Sequence, residues 1–153
     1  MTKRKSDKSA LAVLKRITHQ ESLLAQAALF ESMHKLRHAE DRQAQLATRQ
    51  DQHHQQIASI WRALDTHALM TVQTTMPYRN WLKAEIVGAS TVVKNLNVEA
   101  EAAKDHEKKL RAEGRLLDEL VSRRDIRDAK ALELLGFKET DELVLMRARK
   151  PLS

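Results

Sequence analysis

Apolar residues recur every seven positions through two long stretches of this chain, and this spacing restricts the fold more than any other feature. A heptad repeat sustained over many turns predicts α-helices that pack together as a coiled coil. In the first stretch the repeat falls on Ala25, Leu29, Ser32, Leu36, Ala39, Gln43, Leu46, Gln50, His53, Ile57, Ile60 and Leu64. In the second stretch it falls on Leu82, Ala89, Leu96, Ala103, Leu110 and Leu117, with Ile86, Val93, Ala100 and Val121 at the companion position.

The composition agrees with long helices. The 153 residues include only 3 glycines and 2 prolines, so few residues break helices or form tight turns. Aromatic residues make up 3% of the chain, which suits a narrow seam between helices better than a thick globular core. We therefore predict a single all-α domain over residues 1–153, folded as a long two-helix antiparallel coiled-coil hairpin.

Local signals set the expected boundaries of the two helices. The helical spacing begins near Ser9, so the first helix is expected over about residues 9–72. The run Thr74-Thr75-Met76-Pro77 predicts a turn at about residues 73–78, because Thr caps helix N-termini and Pro fits a first helical turn. The second helix is expected over about residues 79–135, with Gly136 as its cap and a basic extension over residues 137–153. A turn near Thr75 would place the polar seam residue Gln43 close to Glu107.

No residue pattern in the chain points to catalysis. His34 and His38 share a helical face and could bind zinc, but Lys35 stands where a metalloprotease helix needs glutamate, and further ligands are not clustered. We interpret these two as solvated histidines, and His53-His54 as one seam and one surface residue. The sequence has no cysteine and no glycine-rich phosphate loop. We expect a non-enzymatic protein with no catalytic residue, no cofactor and no metal.

Charge and exposed aromatic residues supply the candidate contact sites. The formal net charge of +6 favours acidic partners. In an antiparallel hairpin both chain ends come together, which would join two basic clusters, Lys3, Arg4 and Lys5 with Arg147, Arg149 and Lys150. Tyr78 and Trp81 are expected at the turn, where they either hold the turn together or form a contact patch. The basic clusters can also be read as ordinary solvated helix faces.

Two short segments carry a resemblance to a known family. They are Ser9-Ala10-Leu11-Ala12-Val13-Leu14-Lys15, and Asp141-Glu142-Leu143 followed by Arg147-Ala148-Arg149-Lys150-Pro151. With the length, the basic charge and the two-helix layout, they make the chain similar to the FliJ/YscO-type stalk proteins of bacterial flagellar and type III secretion export machines.

The resemblance implies a specific role. Members of that family are antiparallel coiled coils similar to the γ stalk of rotary ATPases. They enter the pore of a hexameric export ATPase, promote its assembly or activity, and contact the export gate and substrate chaperones. The resemblance implies a cytoplasmic protein, peripheral at the inner face of the membrane through the export apparatus, with no small-molecule substrate. Two other interpretations remain open at this point. One is a basic coiled coil that binds nucleic acid, although the sequence has no recognisable nucleic-acid-binding motif. The other is a generic structural coiled coil that dimerises.

Overall fold

The described chain folds into two long helices that contact each other. The computed structural model describes the backbone of residues 2–63 and 66–148, and the side chains of residues 9–63 and 67–147. Helix α1 spans Thr2–Arg62 and helix α2 spans Thr66–Ala148, and neither backbone range contains a strand. The predicted all-α helical hairpin is therefore confirmed.

The heptad seams are also confirmed. In α1 every predicted seam residue from Ala25 to Ile60 is buried or half-buried, while Leu64 lies outside the described residues. In α2 all ten predicted positions between Leu82 and Val121 are likewise buried or half-buried. Leu82 is the most enclosed large side chain, at 1% exposure. The same α2 repeat continues back to Ala68 and on to Ala131, beyond the predicted limits.

The chain divides into two compact units. Unit 1 contains Met1–Ser22 together with Lys109–Ser153, so it holds both ends of the chain. Unit 2 contains Leu23–Lys108, which includes the reversal between α1 and α2.

The reversal in unit 2 lies earlier than the sequence predicted. Helix α1 ends at Arg62, where the amide of Ala63 donates to the carbonyls of Ser59 and Ile60 at 3.2 Å each. Helix α2 begins at Thr66, and Leu64 and Asp65 between them lie outside the described residues. The predicted turn at residues 73–78 is wrong, because these residues lie inside α2.

Side-chain hydrogen bonds of the Thr-Thr-Met-Pro run are those of residues inside a helix. The hydroxyl of Thr74 donates to the carbonyl of Thr71 at 2.8 Å, and that of Thr75 donates to Val72 at 2.9 Å. Both bonds point back into the preceding turn, whereas a capping hydroxyl accepts from amides that follow it. Pro77 sits in the helix interior, where it removes one backbone donor without ending the helix.

The earlier reversal changes the register of unit 2. Arg42 forms an ion pair with Glu85, with 3.0 Å between Nη2 and Oε2. Residue i of α1 therefore lies opposite about residue 128 − i of α2, as antiparallel pairing requires. Gln43 then lies near Glu85 and roughly 33 Å along the helix from Glu107. The predicted Gln43–Glu107 pairing is wrong, although Glu107 is indeed buried, at 5% exposure.

Both helices also extend past their predicted ends. Helix α1 begins at Thr2, before the predicted start near Ser9. Helix α2 passes through Gly136 and ends at Ala148, so Gly136 is not its cap. A glycine inside a helix costs only about 1 kcal/mol relative to alanine. The Leu-, Lys- and Glu-rich sequence around Gly136 therefore carries the helix through.

Oppositely charged side chains one helical turn apart form ion pairs along the helices. The Lys35 Nζ lies 2.6 Å from the Oε1 of Glu31, one helical turn earlier. The hydrogen bond from Lys35, and then its positive charge, hold the pKa of the Glu31 carboxyl below its ordinary value. Both side chains are exposed, so we assign them a minor role in stability.

Candidate functional site

Tyr78 and Trp81 belong to an aromatic cluster inside unit 2. The rings of Tyr78 and His53 make a T-shaped contact, with 5.2 Å between centroids and an angle of 74° between the ring planes. The Tyr78 ring stacks on Trp81 at 5.7 Å and 29°. The cluster lies more than three helical turns after the start of α2, so its predicted position at the turn is wrong. Tyr78 and Trp81 keep 43% and 48% of their surface exposed, and both remain candidate contact residues.

A groove lies beside the aromatic cluster. It encloses about 450 Å³ and is lined by His38, Asp41, Arg42, Gln45, Leu46, Arg49, Trp81 and Glu85. The Arg42–Glu85 ion pair crosses it, and both residues also line an adjoining groove of about 260 Å³ over Gly88 and Ala89. The sequence did not predict these grooves, because they depend on which residues of α1 and α2 face each other.

The turn end of unit 2 exposes a different apolar set from the one expected. Trp61, near the end of α1, is 50% exposed. Leu69 and Met70, in the first turns of α2, are also exposed. These residues, and not Tyr78 and Trp81 as predicted, lie next to the turn.

Residues 132–147 of α2, named here the terminal segment, form a dense exposed apolar stretch of unit 1. Every residue in this segment is exposed, although half of them are large apolar residues. The apolar set is Leu132, Leu134, Leu135, Phe137, Leu143, Val144, Leu145 and Met146. Helices in water normally bury such residues, so the density of exposed apolar side chains in this segment is unusual.

The apolar residues of the terminal segment occupy two opposite faces. Helical spacing puts Leu132, Leu135, Leu143 and Met146 on one face and Leu134, Phe137, Val144 and Leu145 on the other. A helix with this distribution needs contacts on more than one side to bury its apolar residues.

The sequence does contain a signal for the end of the hairpin seam, which our prediction did not use. The α2 heptad positions after Ala131 include Lys138 and Glu142, which shows that the hairpin seam stops there.

The structure describes only part of the two predicted basic clusters. In unit 1, Lys15 of α1 pairs with Asp118 of α2 at 2.7 Å. Continuing this pairing to the start of α1 puts the backbone of Lys3, Arg4 and Lys5 opposite about residues 128–130 of α2. The exposed Arg147 lies roughly 25 Å further along. Arg149 and Lys150, like the side chains of the N-terminal cluster, lie outside what the structure describes. Apart from the exposed Arg147, the side chains of the predicted joint basic patch therefore lie outside the described residues, and the joint patch stays a prediction.

The histidines take the positions expected of them. His34, His38 and His54 are exposed, and His53 is buried in the seam at 4% exposure. The Nε2 of His53 has no hydrogen-bond partner among the described residues. Across the described part of the chain, no group of three or more His, Asp or Glu side chains could hold a metal ion.

Neither helix, over its described residues, has a stretch apolar enough to cross a membrane. Comparison of the chain with protein-family models, with curated proteins and with solved structures gave no match. The class that the fold and the exposed surfaces define is thus an all-α helical hairpin with an uncovered apolar end on α2.

Proposed function

We propose that this chain is a non-enzymatic central stalk or adaptor of a bacterial flagellar or type III secretion export ATPase. In this role it promotes assembly or activity of the ATPase and links it to the export gate and to substrate chaperones. The proposal takes the role from the family resemblance of the sequence, and the terminal segment of α2 is the observation that carries it.

The terminal segment supports a partner that surrounds a helix. Its apolar residues lie on opposite faces, so a partner with one flat surface would leave half of them in water. A hexameric ring contacts a helix in its pore from all sides. The helix can therefore bury both faces at once inside such a ring.

The location of the chain ends also supports the proposal. Both the first residues of α1 and the last residues of α2 belong to unit 1, and the turn belongs to unit 2. A stalk that inserts one unit into a ring can use its other unit to bind a second partner.

The test uses the full-length chain and the export ATPase encoded in the same genome. We expect the chain to co-sediment with the ATPase, to increase the fraction of hexamer and to raise the rate of ATP hydrolysis. Phe137→Ser and Leu143→Ser change opposite faces of the terminal segment, and each should reduce the stimulation.

A matched control is Phe30→Ser, which removes a side chain that is 74% exposed but lies in unit 2. It should leave the stimulation unchanged. Absence of both binding and stimulation with the unmodified chain would reject the proposal. Equal loss of stimulation in all three variants would reject the terminal segment as the contact. Capture of the gate protein and of chaperones by the unmodified chain tests the linking role separately.

A further inference from the structure

Two adjoining cavities follow one side of the hairpin in unit 1. The first encloses about 240 Å³ around Gly114, and the second encloses about 230 Å³ beside Leu11 and Val121. Lys15 lines both cavities, which therefore adjoin at this residue and are together named here the unit 1 groove. On α2 the groove runs from Leu110 to Asp125, a distance of roughly 22 Å or four helical turns.

The unit 1 groove has an apolar floor and a basic rim. Leu110 is buried at 8% exposure, while Leu11, Leu117 and Val121 are half-buried, so all four contribute apolar surface to the floor. Four Lys or Arg residues line the groove against two Asp residues, a formal excess of two positive charges, and one pair among them, Lys15 and Asp118, is already joined at 2.7 Å. The basic set is Lys15, Arg111, Arg115 and Arg124, joined by His19, and the acidic set is Asp118 and Asp125.

Gly114 keeps the middle of the groove open. It occupies a half-buried heptad position of α2, where the seam otherwise carries side chains. A Cβ added there would meet nothing within 4 Å, so the packing of the hairpin does not require glycine at this position. Glycine inside a helix is less favourable than alanine by roughly 0.5–1 kcal/mol. Within unit 1 the consequence of Gly114 is an empty space at the centre of the basic groove.

We propose that the unit 1 groove binds an acidic amphipathic helix of a partner protein. A helix of about four turns matches the groove in length, and its apolar residues at helical spacing would contact the floor. Carboxylates beside that stripe would pair with the rim, where arginine can bind them in bidentate fashion. The site is separate from the terminal segment and does not depend on the identity of the proposed ATPase.

Charge and burial together favour this occupant. A basic helix would face the excess positive charge of the rim. A nucleic-acid strand would pair its phosphates with the rim but would leave the apolar floor without a matching surface. An acidic amphipathic helix satisfies both surfaces.

The experiment measures fluorescence anisotropy of a labelled helical peptide of about 16 residues, with leucine on one face and glutamate elsewhere. The comparison probes are the same peptide with lysine for glutamate, and a single-stranded oligothymidine. The full-length chain should bind the acidic peptide at least about tenfold more tightly than either comparison probe, and added salt should weaken the binding.

Two variants locate the binding. Gly114→Leu fills the groove, and Arg115→Glu reverses an exposed rim charge, so each should weaken binding of the acidic peptide by about tenfold or more. Gly88→Leu is the matched control, because Gly88 also lies inside α2 with open space around its Cβ position, but in unit 2. It should leave the affinity unchanged. Circular dichroism should show each variant as helical as the unmodified chain.

Three results would overturn the proposal. The first is equal binding of the acidic and basic peptides, or no binding of either. The second is tighter binding of the oligothymidine, which would make the groove a nucleic-acid site. The third is unchanged affinity in both Gly114→Leu and Arg115→Glu.

Discussion

Arg42 of α1 and Glu85 of α2 form an ion pair across unit 2, with 3.0 Å between Nη2 and Oε2. Arg42 is largely exposed, so we expect the pair to contribute less than about 1 kcal/mol to stability. Its main value is that it identifies the register. The energy that holds the register comes from the buried seam, in which Leu46 and Leu82 are 4% and 1% exposed.

The register predicts which residues can be cross-linked. The native chain has no cysteine, so paired cysteines can be introduced on a clean background. Arg42→Cys combined with Glu85→Cys should react within one chain with a short bismaleimide, detected as a mobility shift at low protein concentration. Gln43→Cys combined with Glu107→Cys should not react, since about 33 Å separates these levels of the hairpin. Reaction of the second pair but not of the first would instead support the predicted turn near Thr75.

Removal of the Leu82 side chain should destabilise the hairpin more than removal of an exposed leucine. Leu82→Ala deletes the most buried large side chain and leaves a cavity in the seam. We expect a loss of about 2–5 kcal/mol in the free energy of unfolding, measured by urea titration with circular dichroism. Leu69→Ala, at a site 58% exposed in the same unit, should change it by less than about 0.5 kcal/mol.

Pro77→Ala should stabilise the protein. Proline in a helix interior removes a backbone hydrogen bond and costs about 3 kcal/mol, while alanine regains this donor for the carbonyl of Gln73. The more flexible unfolded chain offsets about 0.4–1 kcal/mol of the gain. Thermal unfolding should therefore shift to higher temperature, with slightly more helical signal. A decrease in unfolding temperature would mean that Pro77 belongs to a turn.

The heptad pattern predicted the helices and their buried faces but not their register. A seven-residue repeat looks the same after a shift by one or more heptads, so Gln43 can be matched with several levels of α2 without breaking the pattern. The position of the reversal decides between them. Here α1 ends at Arg62, in a part of the sequence without glycine or proline. Pro77, which suggested a turn, lies inside α2. Local turn signals therefore pointed to the wrong residues.

The candidate contact surfaces depend on this register and were harder to predict. Tyr78 and Trp81 were identified as exposed aromatics from their type, but their contact with His53 requires the observed pairing of helices. The groove around Gly114 likewise exists because Lys15 and Thr18 of α1 face that part of α2. The terminal segment was predictable in principle, since Lys138 and Glu142 interrupt the seam.

Replacement of His53 by leucine should stabilise unit 2. The imidazole is 4% exposed, and its Nε2 lacks a hydrogen-bond partner among the described residues. A buried polar group without a partner costs about 1–3 kcal/mol, part of which is offset here by the ring contact with Tyr78. We expect His53→Leu to raise the free energy of unfolding by about 1 kcal/mol. His54→Leu changes the exposed neighbour and should have little effect, so equal shifts in both variants would contradict this explanation.

Gly136→Ala distinguishes a continuous helix from a capped one. Helix α2 passes through Gly136, and the hydroxyl of Thr140 donates to the Gly136 carbonyl at 2.9 Å, as expected inside a helix. A Cβ would meet nothing within 4 Å, and the backbone there is not left-handed. Alanine should therefore stabilise the segment by roughly 0.5–1 kcal/mol. A left-handed cap would give the opposite sign, since alanine there costs about 1–2 kcal/mol.

Amide hydrogen exchange of residues 137–147 measures the difference directly. Slower exchange in Gly136→Ala supports the continuous helix, and faster exchange would mean that α2 ends at Leu135 and that the terminal segment is a separate element.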